Sequence, residues 1–158
     1  MKKVLWITAL VLALFGMAGQ SWAATTDSIT VTVSLAEDIA VSLNNNTWTI
    51  GSIALSGSDG LATVTATNDG NVTIDLVIKG ANGAGGWTIG SAPGADTFEV
   101  ELTAPPISLT AADQSLVSSL ATSGTKTIDL TYNAPTDDNF GGGVDQGFTI
   151  TVTASKTP

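Results

Sequence analysis

Aliphatic and polar side chains alternate along much of this sequence, and this alternation limits most strongly what the chain can form. In residues 97–103, Phe98, Val100 and Leu102 alternate with polar neighbours. Because successive side chains of a β-strand point to opposite faces, this period predicts strands with one buried and one solvated face. The same pattern occurs over residues 28–37, 72–79, 127–133 and 148–154, and more weakly over 39–43, 47–50, 61–67 and 87–89.

Turn-forming residues separate these segments. Residues 68–71, Asn-Asp-Gly-Asn, predict a tight hairpin that needs positive φ. Pro105 and Pro106 remove two backbone donors and predict a sheet edge or a crossing between sheets. Seven to nine strands joined by such turns predict an all-β fold, an antiparallel β-sandwich of immunoglobulin-like or jelly-roll type.

Residues 111–121 depart from the two-residue period. Thr110 and Asp113 resemble the start of a helix, and Leu116 and Leu120 follow at helical spacing. The segment therefore predicts either a short helix or an irregular strand.

The first residues have the three-part pattern of a secretory signal peptide. Lys2 and Lys3 precede an apolar run of fourteen residues, 4–17, and small side chains lie at Ser21 and Ala23. A membrane-spanning helix needs roughly 20 residues, so the run is short for an anchor, although an uncleaved anchor is the alternative.

We therefore predict that residues 1–23 are removed by cleavage between Ala23 and Ala24. Residues 24–158 then form a single domain. We expect this product to be secreted to the extracellular space or cell surface, or into the periplasm, without stable insertion in a membrane.

Cleavage makes the chain strongly acidic. Three Lys and fourteen acidic residues remain after residue 23, a net charge of −11, and His, Cys, Met and Arg are absent from that part. Without His or Cys there is no Ser-His or Cys-His nucleophile, disulfide or zinc finger. Nucleic acid is excluded as an expected partner because phosphate binding needs Lys and Arg.

The loop over residues 137–145 is the best candidate for a metal site. Asp137, Asn139 and Asp145 supply oxygen ligands of the kind that Ca²⁺ prefers, although the spacing is not that of an EF-hand. A solvated loop is the alternative, since Asp and Gly are common turn formers. We expect no other cofactor.

Two further groups of side chains suggest binding or catalysis. Glu99 and Glu101 share one strand face, roughly 7 Å apart by strand geometry, but nothing near them predicts a pocket that would raise a pKa. Trp48 and Trp87 could form a sugar-stacking platform, whereas packing in the core or as a loop cap is the alternative. We expect no catalytic residue.

The two terminal strands are candidates for contacts between subunits. Their apolar faces are formed by Ile29, Val31, Val33 and Leu35 in the first strand and by Phe148, Ile150 and Val152 in the last. Neither strand contains Pro or an outward Lys to protect an exposed edge. Each can add to the sheet of a neighbouring subunit, or both can pair inside one sandwich.

Residues 68–76, NDGNVTIDL, and 148–154, FTITVTA, resemble segments of small secreted immunoglobulin-like surface proteins of prokaryotes. Similar hairpins occur in fibre-forming β-sandwich subunits of the biofilm-matrix TasA and camelysin type. The likeness covers mostly the strand pattern over residues 28–154. It implies a jelly-roll or immunoglobulin-like subunit that polymerises by strand exchange.

From the sequence we therefore expect a non-enzymatic, exported structural or surface protein. It would be a subunit of an extracellular filament or matrix, with itself or other surface proteins as partners. The alternative is an extracellular module that binds carbohydrate or Ca²⁺.

Overall fold

The computed structural model describes residues 30–61, 63–140 and 146–158, and the predicted signal peptide lies outside them. The chain divides into two units, Met1–Leu35 and Ala36–Pro158. The described residues contain no helix and form eleven β-strands, so the predicted all-β class is confirmed. The strands are β1 (Val41–Leu43), β2 (Ser58–Gly60), β3 (Val64–Asn68), β4 (Ile74–Gly80), β5 (Thr88–Ile89), β6 (Thr97–Thr103), β7 (Pro106–Ser108), β8 (Gln114–Leu120), β9 (Thr125–Ile128), β10 (Leu130–Asn133) and β11 (Ile150–Lys156).

All eleven strands belong to the second unit and form three sheets. The first has the order β1-β3-β9, the second β2-β10-β6-β5 with β7 paired to β6, and the third β11-β4-β8. All pairs are antiparallel except β5 with β6, which is parallel. This arrangement is consistent with a β-sandwich. The strand number exceeds the predicted seven to nine because several strands have only two or three residues.

The predicted alternation produces the core. β4 and β6 alternate strictly between buried and half-exposed residues over most of their length. Phe98 and Val100 of β6 and Ile74 and Leu76 of β4 are completely buried. Burying such a side chain contributes about 1.5–3 kcal/mol relative to leaving it exposed. These aliphatic faces therefore provide the main stabilisation of the fold.

Residues 127–133 form two strands, where the sequence predicted one. β9 pairs with β3, whereas β10 pairs with β2 and β6. Asp129 lies between them, and its carbonyl accepts a hydrogen bond from the Thr103 amide. Alternation continues through Asp129 because Ile128 and Leu130 are both buried. The period therefore does not reveal that the chain changes sheets.

The prediction of a hairpin at residues 68–71 is wrong. This turn connects β3 and β4, which belong to different sheets, and none of its residues has positive φ. The buried side chain of Asn68 fixes the crossing. Its amide nitrogen donates to the carbonyls of Val72 and Leu120, and its oxygen accepts from the Gly70 amide. The Asn68 side chain thus provides hydrogen-bonding partners for backbone groups that have no partner in a β-ladder at this crossing.

Of the two structures predicted for residues 111–121, the short helix is absent and the irregular strand is confirmed. β8 pairs with β4 with register shifts near Leu76, and Ser119 has a φ of 57°. The amide of Ser119 donates to the Asp75 side chain. The bulge explains why the apolar spacing in this segment resembled that of a helix.

The strand predicted over residues 28–37 is not present in the described part of that segment. Residues 30–37 are exposed and belong to no strand. Alternation determines which side chains share a face, but a strand also needs a hydrogen-bonding partner. Ile29 lies outside the described residues.

The short strands agree less well with the sequence prediction than the long ones do. Residues 47–50 form no strand, while β2 lies in a segment for which the alternation predicted no strand. β7 begins at Pro106 and lies beside β6 outside the main strand path, which agrees with a sheet edge. The described residues hold no apolar helix of the length needed to cross a membrane.

We predict that Asn68→Ala lowers the free energy of unfolding by about 2–4 kcal/mol, because buried backbone groups lose their hydrogen-bonding partners. Equilibrium urea unfolding measures the change. Asn82→Ala is the matched control, since the exposed Asn82 oxygen accepts one bond, from the Ile89 amide. Equal effects of the two substitutions would contradict the role assigned to Asn68.

Candidate functional site

The free edge of the last strand is the first component of the candidate site. Within the described residues β11 is the end strand of its sheet and pairs only with β4. Continuing that register, the Thr157 amide donates to the Thr73 carbonyl. In an antiparallel ladder such bonds alternate. The backbone groups of Val152 and Ala154 therefore point away from β4, towards the free edge.

An apolar groove of about 1170 Å³ lies next to this edge. Its lining combines the segment after β1, side chains of the central strands and the start of β11. Polar side chains, among them Asn45, Thr47, Ser52 and Gln146, also line the groove. Its large apolar lining residues are Leu43, Trp48, Ile50, Ile53, Leu55, Leu61, Val64, Ile78, Trp87, Ile128, Leu130, Tyr132, Phe148, Ile150 and Val152. Asp138 is the one charged residue in the lining.

Aromatic rings pack together at the groove. Trp48 meets Tyr132 and Phe148 edge-on, with ring centroids 6.4 and 6.5 Å apart. Phe148 stacks on Tyr132 at 5.8 Å and lies 4.7 Å from Phe98. Such pairs contribute about 0.5–1.5 kcal/mol beyond their buried area. The rings therefore give the groove a firm base that joins it to the core.

Trp48 carries an unsatisfied donor. Its indole Nε1 is the one buried side-chain nitrogen or oxygen without a hydrogen-bond partner among the described residues. A buried polar group without a partner costs about 1–3 kcal/mol. Trp87 differs, because its indole donates to Asp138 at 3.2 Å. Both Trp side chains pack against the core, which confirms that alternative of the sequence analysis.

The phenol of Tyr132 lies in the same lining and is 3% exposed. Desolvation by burial raises the pKa of Tyr132 from 10.0 to about 12. Burial disfavours the charged phenolate, so the side chain stays neutral well above physiological pH.

A hydrogen-bonded anchor fixes where the chain enters the second unit. The side chain of Asn71 accepts from the Asp38 amide and donates to the Ala36 carbonyl. The Asn71 amide donates to the Asp38 carbonyl at 3.0 Å. Gly70 lies so close that a Cβ there would collide with the Asp38 carbonyl.

This anchor lies near the end of β11. Lys156, the last residue of β11, forms an ion pair with Glu37. Thr157 also donates its hydroxyl to Asp75 of β4. Residue 36, where the second unit begins, therefore lies near the carboxyl end of β11, the strand with the free edge.

The segment before the anchor exposes apolar side chains. Val31, Val33 and Leu35 are 75, 76 and 85% exposed. The groove residues Leu43 and Leu55 are also among the exposed large hydrophobic side chains of the described chain. Among the described residues, exposed aliphatic surface thus occurs mainly in two places, the segment over residues 31–35 and the groove.

The predicted Ca²⁺ loop is described only in part, since Asp145 lies outside the described residues. The Asn139 side chain and amide both donate to Asp96, at 2.7 Å. Asp137 accepts a bond from the Asp138 amide. In the described chain, no three acidic side chains are placed to share a metal ion. The structure therefore brings Asn139 to Asp96, and a Ca²⁺ site stays a prediction.

Glu99 has structural partners. Its carboxylate accepts from the Ser108 hydroxyl and from the Asn133 amide, which belong to the adjacent strands β7 and β10. These bonds hold the carboxylate between neighbouring strands.

Sequence reasoning identified Phe148, Ile150 and Val152 as lying on one strand, but it missed the groove. The observed strand β11 begins at Ile150, so Phe148 lies just before it. The wall of the groove opposite β11 includes residues 45–53, which form no strand and have only the weak period of residues 47–50. The indole at Trp48 gave a partial signal, because a Trp in a polar segment needs both apolar contact and an acceptor.

Comparison with protein-family models finds no match, and comparison with curated proteins finds none either. The resemblance to secreted surface proteins therefore stays an expectation.

We predict that the phenol of Tyr132 titrates near pH 12 in the folded chain. Tyr132 is the only Tyr of the sequence, so phenolate absorbance measures this group alone. The unfolded phenol ionises near pH 10, so the folded state binds the proton more tightly and stability is lost between pH 10 and 12. At about 1.36 kcal/mol per pKa unit, the loss is at most about 3 kcal/mol.

Tyr132→Phe is the control for this titration. It should remove the phenolate signal and reduce the slope of stability between pH 10 and 12. A folded chain whose phenol ionises at pH 10 would contradict the prediction.

Proposed function

We propose that this chain is a non-enzymatic, exported structural or surface protein that assembles with copies of itself through β-strand edges. The single observation that carries the proposal is the free edge of β11 beside an apolar groove. A strand with unpaired backbone groups is a template for pairing with another chain.

Up to Ser155, the edge of β11 lacks the features that usually prevent such pairing. Natural edge strands are protected by Pro, by Lys and other charged side chains, or by bulges, and of these β11 has only its last residue, Lys156, which is paired with Glu37. β11 is regular in its pairing with β4 and has no charged residue before Lys156. With seven residues it is also as long as β4 and β6. These properties favour addition of a strand.

Export is supported by the sequence at the N-terminus. The proposed leader over residues 1–23 would direct the chain out of the cytoplasm, and cleavage would leave Ala24 as the first residue. The acidic charge of the remaining chain favours solubility, and it keeps copies apart except where uncharged surfaces meet. We propose an extracellular filament or matrix as the destination, of the kind that TasA and camelysin subunits form.

The residue types also support a structural role. Residues 24–158 contain no His or Cys, and Glu99 is committed to hydrogen bonds with neighbouring strands. Binding and assembly need only paired main chain and buried apolar faces, which this chain has in abundance.

A carbohydrate-binding module is the second candidate. The observation in its favour is the presence of Trp48, Trp87 and Tyr132 in one open groove, since aromatic faces stack on sugar rings. Retention of the chain on polysaccharide in affinity electrophoresis, lost in Trp48→Ala but with folding retained, would favour this function over assembly.

We predict that Ala154→Pro abolishes assembly of the exported chain and leaves the subunit folded. The amide of Ala154 faces the free edge, so proline removes a donor needed by an added strand while the ladder to β4 stays intact. Negative-stain microscopy and sedimentation measure assembly, and far-ultraviolet circular dichroism checks folding.

Ala154→Ser is the matched control, because it changes the side chain and keeps the amide. It should assemble like the unaltered chain. Monodisperse monomer of the unaltered chain at every concentration, with and without divalent cations, would refute the proposed function.

A further inference from the structure

Resting on the proposed function, we infer that the groove beside β11 binds residues 29–35 of a second copy of this chain as an added β-strand. The added strand would pair with the free edge of β11 and place its apolar face on the aromatic base of the groove. We refer to residues 29–35 as the donor segment.

The side chains of the donor segment have the period that this position requires. Ile29, Val31, Val33 and Leu35 lie on one face and Thr30, Thr32 and Ser34 on the other. An inserted strand turns alternate residues towards the core. The segment thus offers four aliphatic side chains to the groove and three hydroxyls to solvent.

Its length also matches. The donor segment and β11 both contain seven residues, each about 23 Å long at ~3.3 Å per residue. The groove extends along Phe148, Ile150 and Val152, so the strand would have apolar contact over the first half of β11. Main-chain bonds would continue over the remainder.

Charge favours this pair of surfaces over others. The whole chain has a net charge of −9, yet the donor segment contains no charged residue. In the groove lining, Asp138 is the one charged residue. Two acidic copies therefore approach with least repulsion where the donor segment meets the groove.

The indole of Trp48 supplies an independent observation. Its buried Nε1 lacks an acceptor among the described residues and belongs to the groove lining. A strand inserted beside it brings backbone carbonyls, which are the acceptors that this donor lacks. A strand bound in the groove would therefore cover its apolar surface and provide an acceptor for Trp48 Nε1.

The exposure of the donor segment points to a second copy. Val31, Val33 and Leu35 are at least 75% exposed in the single chain, so their surface is available to a neighbour. Insertion of the segment into the groove of its own chain is the competing arrangement, and the test below separates the two.

The first experiment changes the inward face of the donor segment. In the exported chain, Val31→Asp with Val33→Asp should abolish assembly, because two carboxylates would enter an apolar groove. Thr30→Asp with Thr32→Asp adds the same charge on the outward face and is the matched control. We expect at least a tenfold higher critical concentration for the first pair than for the control.

Both pairs lie in a segment that is exposed in the single chain, so the subunit should stay folded. Urea unfolding checks this. Equal assembly of the two pairs would refute the assignment of residues 29–35, whereas loss of assembly in Ala154→Pro would still support the proposed function.

The second experiment identifies the copy that supplies the strand. The sequence has no Cys, so introduced thiols report only the chosen contact. One variant carries Val33→Cys and another Ile50→Cys, and the two are mixed under oxidising conditions. A disulfide-linked dimer between the variants is the expected result, and Thr32→Cys with Ile50→Cys is the control that should link less.

A chain that carries both Val33→Cys and Ile50→Cys tests the competing arrangement. Linked multimers support insertion between copies. A monomer with an internal disulfide refutes the second copy as the source of the strand, and a chain that forms no link at all refutes the groove as its location.

A third variant tests the indole. Trp48→Phe keeps an aromatic ring at the groove and removes the Nε1 donor, so assembly should weaken while the subunit remains folded. Trp87→Phe is the control, because the Trp87 indole already donates to Asp138. If Trp48→Phe assembles at least as well as Trp87→Phe, the hydrogen bond assigned to the inserted strand is wrong.

Discussion

A β-strand is stable only when its backbone groups are paired and its apolar face is covered, and this requirement organises the whole molecule. β4 and β6 meet it on both sides, with a paired strand along each edge and buried apolar faces. β11 meets it on one side. Its apolar face is only half-buried, and its outer backbone groups have no partner among the described residues. The groove lies where this requirement is not met.

The interior shows how a few polar groups support such a fold. Asn68 holds the crossing between two sheets by bonds to Val72, Leu120 and Gly70. Asn71, three residues further on, anchors the chain at Ala36 and Asp38. Both asparagines therefore belong to one turn, and that turn fixes the sheet arrangement as well as the origin of the donor segment.

The local alternation of apolar and polar residues was enough to predict much of the fold. β6 has the bounds expected from the alternation around Phe98, and the buried face of β4 also follows from its sequence. Pairing between distant strands has no comparable local signal. Residues 127–133 alternate without interruption although the chain changes sheets at Asp129. Residues 68–71 have the composition of a hairpin, but the tertiary position of Asn68 makes them a crossing.

The candidate site was predictable only on the side that alternates. Ile150 and Val152 were identified because a terminal strand predicted to have no Pro and no outward Lys is open to pairing. The opposite wall, including Trp48 and Ile50, has no secondary structure and comes close only through long-range packing. The unsatisfied indole nitrogen depends on that packing as well, and no sequence pattern reports it.

The geometry of the proposed contact determines the kind of assembly. The donor segment and the groove are different surfaces of one chain, so each subunit would offer one strand and accept another. Such a contact is heterologous, and it produces an open filament unless the rotation between neighbours closes a ring. The anchor at Asn71 and the ion pair between Glu37 and Lys156 place the origin of the donor segment at the carboxyl end of β11. Because this origin is held by hydrogen bonds, the direction from one subunit to the next would be defined, which favours a regular filament over an irregular aggregate.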